Sequence, residues 1–97
     1  MPGIGRKGTD SFFEKSLLVG QIFNCTGMPF ACAVVSTITG GNVQLQVSAD
    51  GINFANYGAA TSTAGYVAVP MAVHSFKFIN VAGGPATFAA QAYATRG

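Results

Sequence analysis

Residues 43–49, VQLQVSA, alternate without a fault between apolar and polar side chains, and Asp50-Gly51 follows at once. Period two marks a strand with one buried and one solvated face, because successive side chains of an extended chain point to opposite sides. A helix would scatter the same residues around its circumference. Val43, Leu45, Val47 and Ala49 are therefore expected inside, and Gln44, Gln46 and Ser48 outside. Asp-Gly favours a tight turn, since Gly accepts positive φ and Asp bonds its own nearby backbone. Thr39-Gly40-Gly41-Asn42 is a turn by composition, and residues 30–38 before it form a short apolar, β-branched run. The expectation is a hairpin of 30–38 with 43–49, then a short return strand through Ile52 and Phe54 that ends near Tyr57.

The same rhythm continues to the C-terminus. Residues 58–65 hold no large side chain and read as a loop. In 66–73, Val67, Val69, Met71 and Val73 alternate, with Pro70 on the opposite face. Pro cannot donate to a ladder, so this strand belongs at an edge or a bulge. Residues 75–81 place Phe76 and Phe78 on one side and Lys77 on the other, Gly83-Gly84-Pro85 turns the chain, and 86–95 is the closing strand. For 16–24, the helical spacing of Leu17, Leu18, Gln21 and Ile22 competes with Gly20 and the aromatic and β-branched residues, which favour a strand. About seven short strands parted by turn residues predict an all-β chain, a single antiparallel β-sandwich or jelly-roll-like domain. At 97 residues the chain has surface enough for one modest core. Residues 1–11 show no period and carry three Gly and one Pro, with Ile4 the only internal apolar residue. They read as a flexible N-terminal arm, disordered unless docked, ahead of a β domain over 12–97.

Composition narrows the function. Hydrophobic residues make up an ordinary 49%, but only 8% are Asp, Glu, Lys or Arg, against about 25% in soluble domains. A chain so poor in charge, with a mean hydropathy of +0.41, points to permanent contact with a partner. The net charge of +2 comes from five scattered cations, of which only Arg6 and Lys7 adjoin, too few for a nucleic-acid stripe. No apolar run approaches the ~18 residues of a membrane helix. Residues 16–23 imitate a secretory signal faintly, but Asp10 and Glu14 interrupt the basic stretch and Gln21 the apolar one. The chain reads as a mature cytosolic product.

Candidate chemistry is sparse. One His, two Asp and one Glu offer no catalytic constellation, and His74 reads as a solvated or hydrogen-bonded turn residue. Cys25, Cys32 and His74 are too few and wrongly spaced for zinc, so neither catalytic residue, metal nor cofactor is expected. Cys25 and Cys32 could face each other across a hairpin, although nearness in sequence does not secure disulfide geometry; small buried thiols are the favoured reading. Gly3-Ile4-Gly5-Arg6-Lys7-Gly8 matches G-x-G-x-x-G, but no strand can precede it to make a phosphate cradle. Asn24-Cys25-Thr26 is a formal glycosylation sequon, meaningful only in a secreted eukaryotic protein. Asp50, Asn53, Asn56 and Tyr57 gather on one predicted hairpin, as turn residues or as part of a sugar site.

The segment VQLQVSADGINFANY resembles small β-sandwich structural proteins of tailed bacteriophages, in which an alternating strand runs into Ser-x-Asp-Gly and then an aromatic residue; here these are Ser48, Asp50, Gly51 and Phe54. The likeness extends over about the second half of the chain. It implies a non-enzymatic virion component, made in the host bacterial cytoplasm, such as a capsid decoration (cement) protein. Its partners would be the major capsid protein or other virion subunits, and it would be a homo-oligomer, with a trimer favoured. Arg6 and Lys7 would then pair with acidic lattice surface and Phe12 and Phe13 serve as aromatic anchors, although one of these rings could equally begin the core of the first strand. The rival expectations are a ligand-binding β module, as in a tail-fibre tip or carbohydrate-binding domain, and another head or tail component such as a tail tube or head–tail connector.

Overall fold

The computed structural model describes residues 11–25, 28–69, 73–81 and 84–96. Eight strands follow in chain order: β1 (Ser11–Leu17), β2 (Phe23–Asn24), β3 (Phe30–Thr39), β4 (Val43–Ser48), β5 (Ala55–Asn56), β6 (Gly65–Ala68), β7 (Ser75–Asn80) and β8 (Thr87–Thr95). They form two four-stranded antiparallel sheets, ordered β1-β8-β3-β6 and β2-β7-β4-β5. The first strand pairs with the last, the second with the seventh, the third with the sixth and the fourth with the fifth. The chain is thus one long nested hairpin, with its tip at the β4–β5 loop, rolled so that successive ribbons lie in alternate sheets. Lateral pairing of β3 with β8 and of β4 with β7 closes the roll. This is the strand order of an eight-stranded jelly roll.

The expected hairpin of 30–38 with 43–49 is therefore corrected. β3 already has β8 on one side and β6 on the other, and β4 lies between β7 and β5, so neither has an edge left for the other. Gly40 and Gly41, at φ +65° and +129°, turn the chain from one layer to the other, and the Ala86 N–H donates to Thr39 O to hold the corner. The single strand expected over 16–24 is two, β1 and β2 in opposite sheets, separated by a turn at Gly20. There the Gly20 N–H donates to Phe78 O. The strand expected at Ile52 and Phe54 is a loop, and only Ala55–Asn56 pairs with β4. Ser11, placed in the arm by sequence, already pairs with Thr95 in β1. The rest of the arm and Pro70 lie outside the described residues; of the strand expected over 66–73, the structure shows β6 ending at Ala68, at a sheet edge.

Phe76 and Phe78 of β7 are fully buried, as their alternation with Lys77 required. They tilt against Phe23 and Phe88 at centroid distances of 5.2 and 5.3 Å, within the range at which aromatic pairs attract. Val43 and Leu45 point into the same layer, and the opposing face is built from Leu17, Val35, Phe12 and Phe88 with the small Ala33, Ala90, Ala92 and Ala94 between them. Large and small side chains interdigitating between the two sheets fill the space between layers without strain. The two short edges, β2 and β5, offer little template for pairing, and β1 is broken by a bulge between Glu14 and Leu17. The Ser16 N–H donates to the Glu14 carboxylate at that bulge.

Candidate interaction surface

The two sheets treat their outer faces differently. On β4, Gln44 and Ser48 point outward yet are buried, which corrects the expectation that they are solvated. The loop beyond β4 folds back over them. Gln44 Nε2 donates to Leu45 O at 2.9 Å and to Tyr57 O and Gly58 O at 3.2 Å, and Thr61 exchanges two backbone bonds with Val43. Lys77 lies over the Phe54 ring, 4.4 Å from its centroid, a cation–π contact that seats the loop on β7. This sheet is covered by its own chain.

Asp50 organises that cover. Its Oδ1 accepts from the Ile52 and Asn53 N–H groups, both at 2.8 Å, and from Ser48 Oγ, while Oδ2 accepts from Asn53 Nδ2. The Asn53 amide first, then that of Ile52, then the Asn53 and Ser48 side chains hold its carboxyl well below the usual carboxylate range. Gly51, at φ +82°, lies against the His74 ring, where an added Cβ would come within 2.7 Å of Cε1. His74 Nδ1 is 3.2 Å from Ser75 Oγ, its N–H donates to Ser48 O and its carbonyl accepts from Cys25 N. The Ser-x-Asp-Gly motif thus locks the β4–β5 loop to the start of β7. Asn56 is likewise engaged, accepting from Gln46 Nε2 at 2.9 Å. The cluster of Asp50, Asn53 and Asn56 serves the loop.

The outer face of β1-β8-β3-β6 carries the opposite pattern. Pairing puts Phe13, Tyr93 and Cys32 in one row across the sheet, and Ser11, Thr95 and Phe30 in the row beside it. A third row contains Gln91, Val34 and Tyr66. Tyr66 is 69% exposed, Phe13 61%, Phe30 50% and Tyr93 41%. Phe30, Cys32, Tyr66, Val69, Tyr93 and Thr95 surround an open concavity of about 290 Å³. None of the residues lining it is charged.

Of the residues expected at an interface, Arg6 and Lys7 lie outside the described residues. Phe12 and Phe13, neighbours on β1, point to opposite faces: Phe12 packs against the core and Phe13 stands out from the aromatic row. Phe30, Tyr66 and Tyr93 were not singled out by sequence. The alternation of β8 carries the missing signal, because alanines at 90, 92 and 94 that face inward oblige Tyr93 to face outward. Both cysteines are free; Cys25 is buried as expected, whereas Cys32 is half-buried at the concavity. Burial pushes the Cys25 thiol up to about 11. Among the described residues no three of His, Cys, Asp and Glu lie together. Compared with protein-family models, with curated proteins and with solved structures, the chain returned no match.

Proposed function

We propose that the chain is a non-enzymatic structural subunit of a bacteriophage virion, a capsid decoration (cement) protein that stabilises the assembled lattice as an oligomer. The observation that carries this reading is the outer face of the β1-β8-β3-β6 sheet, on which Phe13, Phe30, Tyr66 and Tyr93 stand exposed although the inner face is already filled. Scattered surface apolar residues are normal, but a contiguous aromatic face on one sheet marks an interaction site. The low charge of the chain and its resemblance to tailed-phage structural proteins support the same reading, and jelly rolls recur in viral capsid domains. Its partner is the major capsid protein or another virion subunit, and Arg6 and Lys7 of the arm meet acidic lattice surface. Co-sedimentation with capsids of the encoding phage tests this. The full chain pellets with capsids, and a chain lacking residues 1–10, which leaves β1 whole, pellets less. Unchanged binding of the truncated chain removes the arm from the mechanism, and a full chain left in the supernatant refutes the proposal. Threefold clusters on capsid faces, rather than one ring at a vertex, separate decoration from a tail or connector role.

The concavity favours one other reading, a ligand-binding module of the tail-fibre or carbohydrate-binding kind, because tyrosines beside an open hollow suit stacking on a sugar. Besides backbone, its polar groups are the Thr95 hydroxyl, two phenols and the weakly bonding Cys32 thiol, few for orienting a polyhydroxylated ligand. A reproducible glycan-array signal lost in Tyr93→Ala would favour this alternative.

A further inference from the structure

We infer that the outer face of β1-β8-β3-β6 is a self-association surface on which a second copy of this chain docks, each copy inserting Phe13 into the concavity of the other. Knob and hole lie on the same face. Phe13 stands on β1, and the hollow is centred on β3 and bordered by Tyr93 of β8, the strand between them. With adjacent strands about 4.8 Å apart, knob and hole are separated by roughly 10 Å across the sheet. A twofold axis running along β8 exchanges the two positions. It therefore seats both rings at once, as an isologous interface requires.

Size and charge agree with that occupant. At about 290 Å³ the hollow lies at the lower edge of the small-molecule range and has room for an aromatic ring, since a cavity of about 150 Å³ holds benzene. Taking about 200 Å² for a fully exposed aromatic side chain, the exposed fractions of Phe13, Phe30, Tyr66 and Tyr93 amount to about 440 Å². These four rings alone supply about half of the ~800 Å² per partner of a standard interface. The hollow has no charged lining, so an entering Phe13 ring buries no charge there. A knob and a hole on one flat face close as a pair, so the stoichiometry is two and not the three that the phage resemblance implied. The inference names a partner for the face on which the virion reading rests, but it stands or falls separately.

Sedimentation velocity over a dilution series, with alkylation of Cys32 by a maleimide followed in parallel, tests it. The wild-type chain passes from its 9.9 kDa mass to twice that mass, and Cys32 labelling slows as the pair forms. Phe13→Ala removes one hot-spot ring from each of two symmetry-related contacts, which raises the dissociation constant on the order of several hundredfold. Cys32→Phe fills the hole, leaves Phe13 in place and also yields monomer. Ile52→Ala, 80% exposed on the distant β4–β5 loop, changes nothing. Thermal melts establish that each variant is folded, and the inference needs only one of the two disruptive variants to fold. A monomer at every concentration, a trimer, or a pair that survives Phe13→Ala or Cys32→Phe overturns it. So does a monomer whose Cys32 is protected, because the face is then covered by the chain itself. Pairing without capsid binding leaves the inference standing and removes the virion reading; capsid binding by a monomer does the reverse.

Discussion

Replacing Gly51 by Ala tests whether the Asp-Gly motif serves only as a turn or also as a seat for His74. Two costs are separable. A side chain at φ +82° pays about 1–2 kcal/mol for left-handed backbone, offset by about 0.4–1 kcal/mol from the stiffer unfolded chain. The second cost is specific to this position. The new Cβ would meet the His74 ring at 2.7 and 2.9 Å, so the ring must leave, and with it the contact to Ser75 Oγ. Ser75 is fully buried, and a buried hydroxyl left unpaired costs about 1–3 kcal/mol. Gly20 supplies the control, because its φ is +83° and an added Cβ there meets nothing within 4 Å. At about 4–8 °C per kcal/mol for a domain of this size, Gly51→Ala lowers Tm by about 10–20 °C and Gly20→Ala by about 5 °C. In a His74→Ala background the penalty at position 51 falls to that at position 20, the coupling that a double-mutant cycle reads between touching residues. Equal losses at Gly20 and Gly51, or a Gly51 penalty indifferent to His74, would refute the reasoning.

Three further outcomes follow from the core and the titrating groups. Phe78→Ala empties a fully buried site between the layers and costs about 3–5 kcal/mol, a large part of a small domain's stability; a denaturant midpoint unchanged from wild type would deny that β7 is central to the core. Folding favours the charged form of Asp50, so its contribution is present at neutral pH and is lost as pH falls through the ordinary Asp range near 3.9 toward its lower folded value. Urea unfolding at pH 7 and pH 3 therefore shows a loss on acidification that is smaller in Asp50→Asn, and equal losses in the two proteins would contradict this. In dilute native protein at pH 8 a thiol reagent titrates one cysteine quickly, Cys32, while Cys25, whose thiol is buried and pushed up to about 11, reacts only on unfolding; two fast thiols would contradict the burial.

The sequence disclosed which face each strand buries better than which strand it pairs with. Phe76, Phe78, Val43 and Leu45 all point inward as their alternation demands, because a pleated chain allows no other phase. Neighbour choice is not written in that alternation. Residues 30–39 and 43–48 are joined by a short Gly-Gly turn, yet they part into different sheets because every edge they offer is taken by strands far along the chain. Burial on the second face was also hidden. Gln44 and Ser48 look like solvent-facing residues until the 49–61 segment folds over them, and that fold depends on Asp50 capturing the Ile52 and Asn53 amides. Those two amides would otherwise have been free for a strand ladder, which is why the expected return strand at Ile52 and Phe54 is a loop. At the candidate surface, Phe13 was legible and Phe30, Tyr66 and Tyr93 were not, because they come together only through the β1-β8-β3-β6 order.

That order also gives a reason why the outward rings are not misplaced core. The interior between the sheets already holds Phe23, Phe76, Phe78 and Leu45 from one side, and a sandwich core is only about 10 Å thick. The sheet facing them presents Leu17, Val35, Phe12 and Phe88 at some inward places and the small Ala33, Ala90, Ala92 and Ala94 at the others. Moving a ring inward would overpack a filled layer, at a typical cost of 1–3 kcal/mol, so the outer side is the only one of this sheet that has room for Tyr93. Room outside does not by itself call for an aromatic residue there, because Thr or Gln would keep the strand and improve solubility, as Thr87 and Gln91 on the same face of β8 do. Rings stand instead at Phe13, Phe30, Tyr66 and Tyr93, in adjoining rows around one uncharged hollow. A sheet whose inner places are filled, by Leu17, Val35, Phe12 and Phe88 beside the alanines, and which tolerates polar residues without has its remaining aromatic residues where a partner would use them.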